Sequence, residues 1–138
     1  MSDRILLVED EPDDVEMLRH AFASEGFPYP VDVAVDGVDA LDYLRNRGAH
    51  SGRRGRRAPL LVLLDIKMPR LDGLGVLAQL REDPATRHLL VIVMTGSCEE
   101  TDRLTAERLG ATLFMEKPRS REGFARAVAK MRELVSAL

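Results

Sequence analysis

Three acids stand directly behind short aliphatic runs. Glu9 and Asp10 follow Ile5-Leu6-Leu7-Val8, and Asp65 follows Leu60-Leu61-Val62-Leu63-Leu64. Carboxylates gathered in one place repel one another, and burial raises the cost of keeping them charged. Such a cluster suits a hard cation. Mg²⁺ takes few carboxylates and keeps room for water and phosphate oxygens. Read singly, each acid is equally a cap for the next helix or turn. Two more polar residues end aliphatic runs: Thr95, with Gly96 beside it, and Lys117, followed by Pro118. Read singly, Thr95 is a strand-end hydroxyl and Lys117 a solvated charge. Together with the acids they make a phosphoryl site: carboxylate nucleophile, metal, hydroxyl and ammonium. Phosphoryl transfer depends on positioning and charge neutralisation more than on acid–base chemistry. In that reading Asp65 is the nucleophile. Mg²⁺ and Lys117 stabilise charge on the equatorial oxygens. The small Gly96 leaves room for the incoming group. A cis Lys117–Pro118 bond would point the amine inward, although most X–Pro bonds are trans.

The elements that must position these residues alternate strictly. Ile5–Val8 reads as a buried strand. Val15, Leu18, Phe22 and Phe27 follow at roughly helical spacing, with Pro12 suited to a first turn. Strand Val31–Val35 precedes a helix marked by Val38, Leu41 and Leu44. Strand Leu60–Leu64 precedes one marked by Leu74, Leu77 and Leu80, ending near Pro84. Strand Leu89–Met94 is followed by Ser97-Cys98-Glu99-Glu100, which fits a capping box, and a helix carrying Leu104 and Leu109. Strand Thr112–Met115 and a helix with Phe124, Val128, Met131 and Val135 close the chain. Repeated strand–helix units imply an α/β fold with a parallel sheet and helices on both faces. Wholly aliphatic strands agree, because parallel strands are buried on both sides. Ligands of such sheets bind outside the carboxyl ends of the strands, where the polar residues fall.

Length and composition bound the rest. The 138 residues suit one domain, and 45% hydrophobic content supports a core. A net charge of -3 excludes a strongly basic protein made to grip nucleic acid. One cysteine, Cys98, excludes an internal disulfide. The four apolar residues of Ile5–Val8 are too few for a signal peptide or a membrane span, so a cytoplasmic protein is expected. The irregular segment 48–59 holds Arg53, Arg54, Arg56 and Arg57 among Gly and Ser. It is expected to be a solvated, flexible loop, or else a contact for an acidic partner. No aromatic residues are interleaved there for stacking on nucleic acid.

Four motifs in this order resemble the receiver domain of two-component response regulators. They are Val8-Glu9-Asp10-Glu11, Leu64-Asp65-Ile66-Lys67-Met68-Pro69 with Asp72-Gly73, Met94-Thr95-Gly96 and Glu116-Lys117-Pro118. The resemblance covers nearly the whole chain, 1–138 as a single receiver domain. It implies the flavodoxin-like doubly wound sheet, order 2-1-3-4-5, with five helices. It implies phosphorylation of Asp65 by a sensor histidine kinase. Asp10 and Asp65 would bind Mg²⁺ directly, Glu9 through water, and the backbone carbonyl of Lys67 would complete the protein ligands. Thr95 would bond the phosphoryl group. Phe114 matches the aromatic switch position, without the hydroxyl of the common tyrosine. Glu9 replaces the more usual aspartate. A homodimer through the fourth helix, fifth strand and fifth helix would follow common receiver practice. A narrower similarity, to the small regulators that partner phytochrome-type kinases, rests on Asp42-Tyr43-Leu44-Arg45, the long segment before the third strand, and Asp83-Pro84 with Arg87-His88.

Other functions fit less well. An aspartyl phosphohydrolase needs an acid two residues after the nucleophile, where Lys67 stands. A nucleotide- or flavin-binding domain needs a glycine-rich turn after the first strand, and here that turn is acidic. A degenerate receiver would lack one of the five expected residues, and all are present. His20 is expected at the surface, His50 in the loop and His88 before the fourth strand, with no metal-ligand spacing among them. Cys98 is expected to be a buried or half-buried small residue, since a catalytic thiol would want a histidine partner. Met17, Met94, Met115 and Met131 are expected in the core.

Overall fold

A computed structural model of the chain describes residues 3–53, 58–96 and 99–137. Five strands form one parallel sheet: β1 (Ile5–Val8), β2 (Val31–Ala34), β3 (Leu61–Leu64), β4 (Leu90–Thr95) and β5 (Leu113–Glu116). Their order is β2-β1-β3-β4-β5, so the expected flavodoxin-like topology is present. Five helices connect and follow them: α1 (Pro12–Ser24), α2 (Gly37–Leu44), α3 (Gly73–Glu82), α4 (Glu100–Arg108) and α5 (Arg121–Ser136). Each of β1 and β3 is buried along its whole length. Alternate side chains of these strands enter two separate cores, Leu6, Val8, Val62 and Leu64 on one side and Ile5, Leu7, Leu61 and Leu63 on the other. Burial on both faces is why these segments read as unbroken aliphatic runs rather than alternating ones.

The helix starts are written locally. Pro12 opens α1, and the Glu11 side chain accepts from the Asp13 amide at its N-terminus. Asp36, Asp72 and Ser120 each accept an amide bond from the first turn of the helix that follows. Glu99 flanks α4 without a side-chain cap bond. Ser97 and Cys98, on which the expected capping box and thiol lay, fall outside the described residues. Phe27 lies beyond the end of α1, contrary to its helical spacing. It still joins Phe22 in the core, the two rings meeting edge to face at 5.0 Å.

The segment before β3 departs from the expected loop. Gly48–Arg53 winds into 3-10 helix. Arg53 is buried, donating to the Tyr43 carbonyl at 2.7 Å and to Asn46 Oδ1 at 3.1 Å. Its guanidinium lies 3.5 Å from the Tyr43 ring centroid. The Tyr43 hydroxyl donates to Asp32, which also takes two bonds from Arg4 at 2.7 Å each. His50 is half-buried and its Nε2 sits 2.6 Å from Asp39 Oδ1. Arg53 and His50 are held by aromatic, backbone, amide and carboxylate partners 7 to 11 residues away in sequence. Arg54, Arg56 and Arg57 lie outside the described residues. No helix among the described residues is long and apolar enough to cross a membrane.

Candidate phosphoryl and metal site

Register brings the polar residues together. Val8 pairs with Leu64, so Glu9 and Asp65 leave neighbouring strands at the same level. The Asp65 amide donates to the Val8 carbonyl at 3.1 Å, and the Glu9 amide to Ala34 at 3.0 Å. Thr95 pairs with Glu116 across β4 and β5, and the Lys117 amide donates back to the Thr95 carbonyl at 2.8 Å. Glu9, Asp65 and Thr95 are buried at 2%, 8% and 1% exposure. Asp10 is exposed. Glu9, Asp10 and Asp65 each offer a carboxylate oxygen, and these oxygens lie within 4.8 Å of one another. Such an all-oxygen set suits a hard cation.

The ammonium of Lys117 crosses this cluster. It lies 2.7 Å from Glu9 Oε1, 2.9 Å from Asp14 Oδ2 and 3.5 Å from Asp65 Oδ2. Every peptide bond among the described residues is trans, so the amine reaches the acids without a cis Lys117–Pro118 bond. Burial alone would lower the Lys117 ammonium. Its bonds to Asp14 and Glu9 and the charge on Asp65 outweigh that and hold it above the ordinary lysine range. Glu9 is pushed up to about 7, first by burial and then by the charge of Asp65, against the opposing bond from Lys117. The charge of Asp65 thus adds to the cost of burying Glu9. The second oxygen of Glu9 accepts from the amides of Asp10 and Glu11 at 3.1 and 3.3 Å. Asp14, in the first turn of α1, is a site residue that sequence reasoning missed. Acids there ordinarily answer the helix dipole, and Asp13 beside it gives the same signal.

The loop from β3 to α3 is held tightly. A Cβ on Gly73 would stand 2.1 Å from the Asp65 carbonyl oxygen, and one on Gly37 would stand 2.1 Å from that of Leu71. The backbones approach so closely that only glycine fits. The Gly73 amide donates to the Ile66 carbonyl at 2.8 Å. Arg70, in the left-handed region at φ 69°, places its guanidinium on Asp36 with bonds of 2.7 and 3.0 Å. Asp36 is thereby held below the usual carboxylate range. This loop carries Lys67, whose side chain is exposed.

Gly96 is exposed, and a Cβ there would meet nothing within 4 Å. The open space fits an incoming group, though nothing in the protein itself demands glycine. Phe114 is half-buried, packs against the core on the Leu6 and Val8 side, and pairs with Val93, two residues before Thr95. Pro118 is half-buried. His20 and His88 are exposed. Met94 and Met131 are in the core, with Met17 and Met115 partly buried against it.

Residues 5–129 match the response regulator receiver domain. The bacteriophytochrome response regulator AtBRR is 38% identical with a TM-score of 0.80, covering 96% of this chain and 94% of its own. The phosphorylated cyanobacterial phytochrome response regulator RcpA is 29% identical with a TM-score of 0.86, covering 96% and 93%. The Mn²⁺-bound form of the Synechocystis response regulator Rcp1 is 26% identical with a TM-score of 0.84, covering 94% and 91%. Among curated relatives the chain spans 81% of one and as little as 23% of others.

Proposed function

The chain belongs to the response regulator receiver domain family, and from that premise we propose that it signals by accepting a phosphoryl group on Asp65. Receivers take that group from a histidine kinase and act as phosphoacceptor modules rather than as enzymes. The carrying observation is Lys117 Nζ spanning Glu9 and Asp65 at the adjoining ends of β1 and β3. In the transfer, an Asp65 oxygen forms a bond to phosphorus as the bond from phosphorus to the donor histidine nitrogen breaks. The electron pair of the broken bond returns to the imidazole. Lys117 neutralises charge on the transferred group, and the Thr95 hydroxyl donates to one of its oxygens.

The acidic set Glu9, Asp10 and Asp65 fits Mg²⁺, which Asp10, Asp65 and the Lys67 carbonyl would hold, with Glu9 acting through water. Bound there, Mg²⁺ would supply charge neutralisation at the phosphoryl oxygens. The Mn²⁺-bound relative supports a divalent cation. The test is mass spectrometry after incubation with acetyl phosphate and Mg²⁺. Wild type gains one phosphoryl group on the Asp65 peptide, and Asp65→Asn gains none. Uptake by Asp65→Asn would overturn the assignment. In the metal-free state Asp65→Asn should be more stable by about 1 kcal/mol, since it relieves like charge around Glu9. Mg²⁺ should stabilise wild type more than the mutant.

Two finer readings follow. The kinase is a phytochrome-type photoreceptor, supported by RcpA and AtBRR. Transfer from such a kinase's phosphohistidine, in preference to other histidine kinases, tests it. The output is a changed binding surface: as Thr95 moves toward the phosphoryl group, Phe114 fills the space it leaves. The affected face, α4–β5–α5, is the proposed homodimer surface.

A further inference from the structure

We propose that Asp14 is a positioning residue that holds the Lys117 ammonium away from Asp65 until a phosphoryl group arrives. This rests on the phosphoacceptor reading above. Lys117 Nζ lies 2.7 Å from Glu9, 2.9 Å from Asp14 and 3.5 Å from Asp65. The ammonium is thus hydrogen-bonded to two carboxylates that are not the acceptor, and stands off from the one that is. Glu9 belongs to the acid cluster suited to a metal. Asp14 lies outside that cluster, in the first turn of α1, with its side chain 25% exposed. Lys117 is the described cation it bonds.

When acetyl phosphate reacts, an Asp65 oxygen bonds to phosphorus, the bond to the acetyl oxygen breaks, and acetate leaves with the electron pair. The transferred oxygens need the ammonium. In this proposal Lys117 gives up its bond to Asp14 as it moves across to the phosphoryl group, and Asp14 sets the cost of that exchange. Removing Asp14 should free the lysine and speed uptake.

Asp14 also repels any anionic donor through space, so the control is Asp13. It shares the first turn of α1 and the same charge, is exposed, and makes no described bond to Lys117. Asp14→Asn should take phosphoryl from acetyl phosphate about fivefold faster than Asp13→Asn, the scale of one part-exposed ion pair. In a Lys117→Gln background Asp14→Asn should add nothing. A second measurement needs no phosphoryl transfer. The chain has three lysines, Lys67, Lys117 and Lys130. Labelling with an amine reagent, read site by site in mass spectra, should quicken at Lys117 alone in Asp14→Asn. Equal uptake and equal Lys117 labelling in the Asp14 and Asp13 variants would overturn the proposal, as would acceleration that survives Lys117→Gln. If wild type took no phosphate while Lys117 labelling rose in Asp14→Asn, the phosphoacceptor reading would fail and the restraint on Lys117 would stand.

Discussion

Glu9 is buried beside the charge of Asp65. Its carboxyl sits at about 7 against an ordinary 4.5. A raised carboxyl binds its proton in the native state over a pH range where the unfolded chain has released it. The metal-free protein should therefore lose stability as pH climbs between those two values, and stay at the lower level above them. Glu9→Gln should flatten that slope, and Mg²⁺ should shift it by favouring the charged form. Urea unfolding at pH values on either side of the window measures both. A metal-free wild type whose stability rose with pH across the window would contradict the assignment. Arg53 gives a second expectation at this scale. With its guanidinium over Tyr43 and bonded to the Tyr43 carbonyl and Asn46, Arg53→Ala should cost about 1–3 kcal/mol of stability. It should leave phosphoryl uptake from acetyl phosphate unchanged, because Arg53 precedes β3 and the site lies beyond that strand's other end.

Among the elements, the loop from β3 to α3 is the most tightly constrained. Gly73→Ala forces its Cβ against the Asp65 carbonyl oxygen. Thermal unfolding should show a loss of about 1–3 kcal/mol, as overpacking does. Calorimetric titration should show weaker Mg²⁺ binding, since Asp65 must move with its backbone. Unchanged Mg²⁺ affinity would mean that α3 yields instead. The strands and their polar ends were legible in the sequence, because two-sided burial leaves an uninterrupted aliphatic run and the polar residues at or just past its end stand out. Glu9, Asp65, Thr95 and Lys117 were found that way. What escaped reading depends on tertiary partners. Asp14 looks like any acid at a helix start until Lys117, 103 residues on, is seen beside it. The Arg70–Asp36 bridge joins residues 34 apart. Arg53 sits in Gly- and Ser-rich surroundings whose composition signals solvent, and only the Tyr43 ring reveals otherwise. The end of α1 was missed because Phe27 continues the helical spacing from a residue that has already left the helix.

For the molecule as a whole, the two sheet edges differ. At β2, Asp32 is bound to Arg4 and Tyr43, and an inward-facing charged residue discourages pairing with another strand. At β5, Leu113, Phe114 and Met115 are only half-buried. Association of two copies is therefore expected on the β5 side. Light scattering should report a dimer whose population changes on phosphorylation, and a strict monomer in both states at high concentration would count against it. The bond from Lys117 to Glu9 closes a separation of 108 residues, and that has a consequence for synthesis. The acids at positions 9, 10, 14 and 65 are all translated before their ammonium. A nascent chain that has completed β1 and β3 can pair those strands with four carboxylates crowded at one end and without the Lys117 ammonium that bonds two of them. Contacts between distant parts of a chain form late. The emerging protein should thus depend on divalent cations to dock its third strand, a dependence that ends once residue 117 arrives.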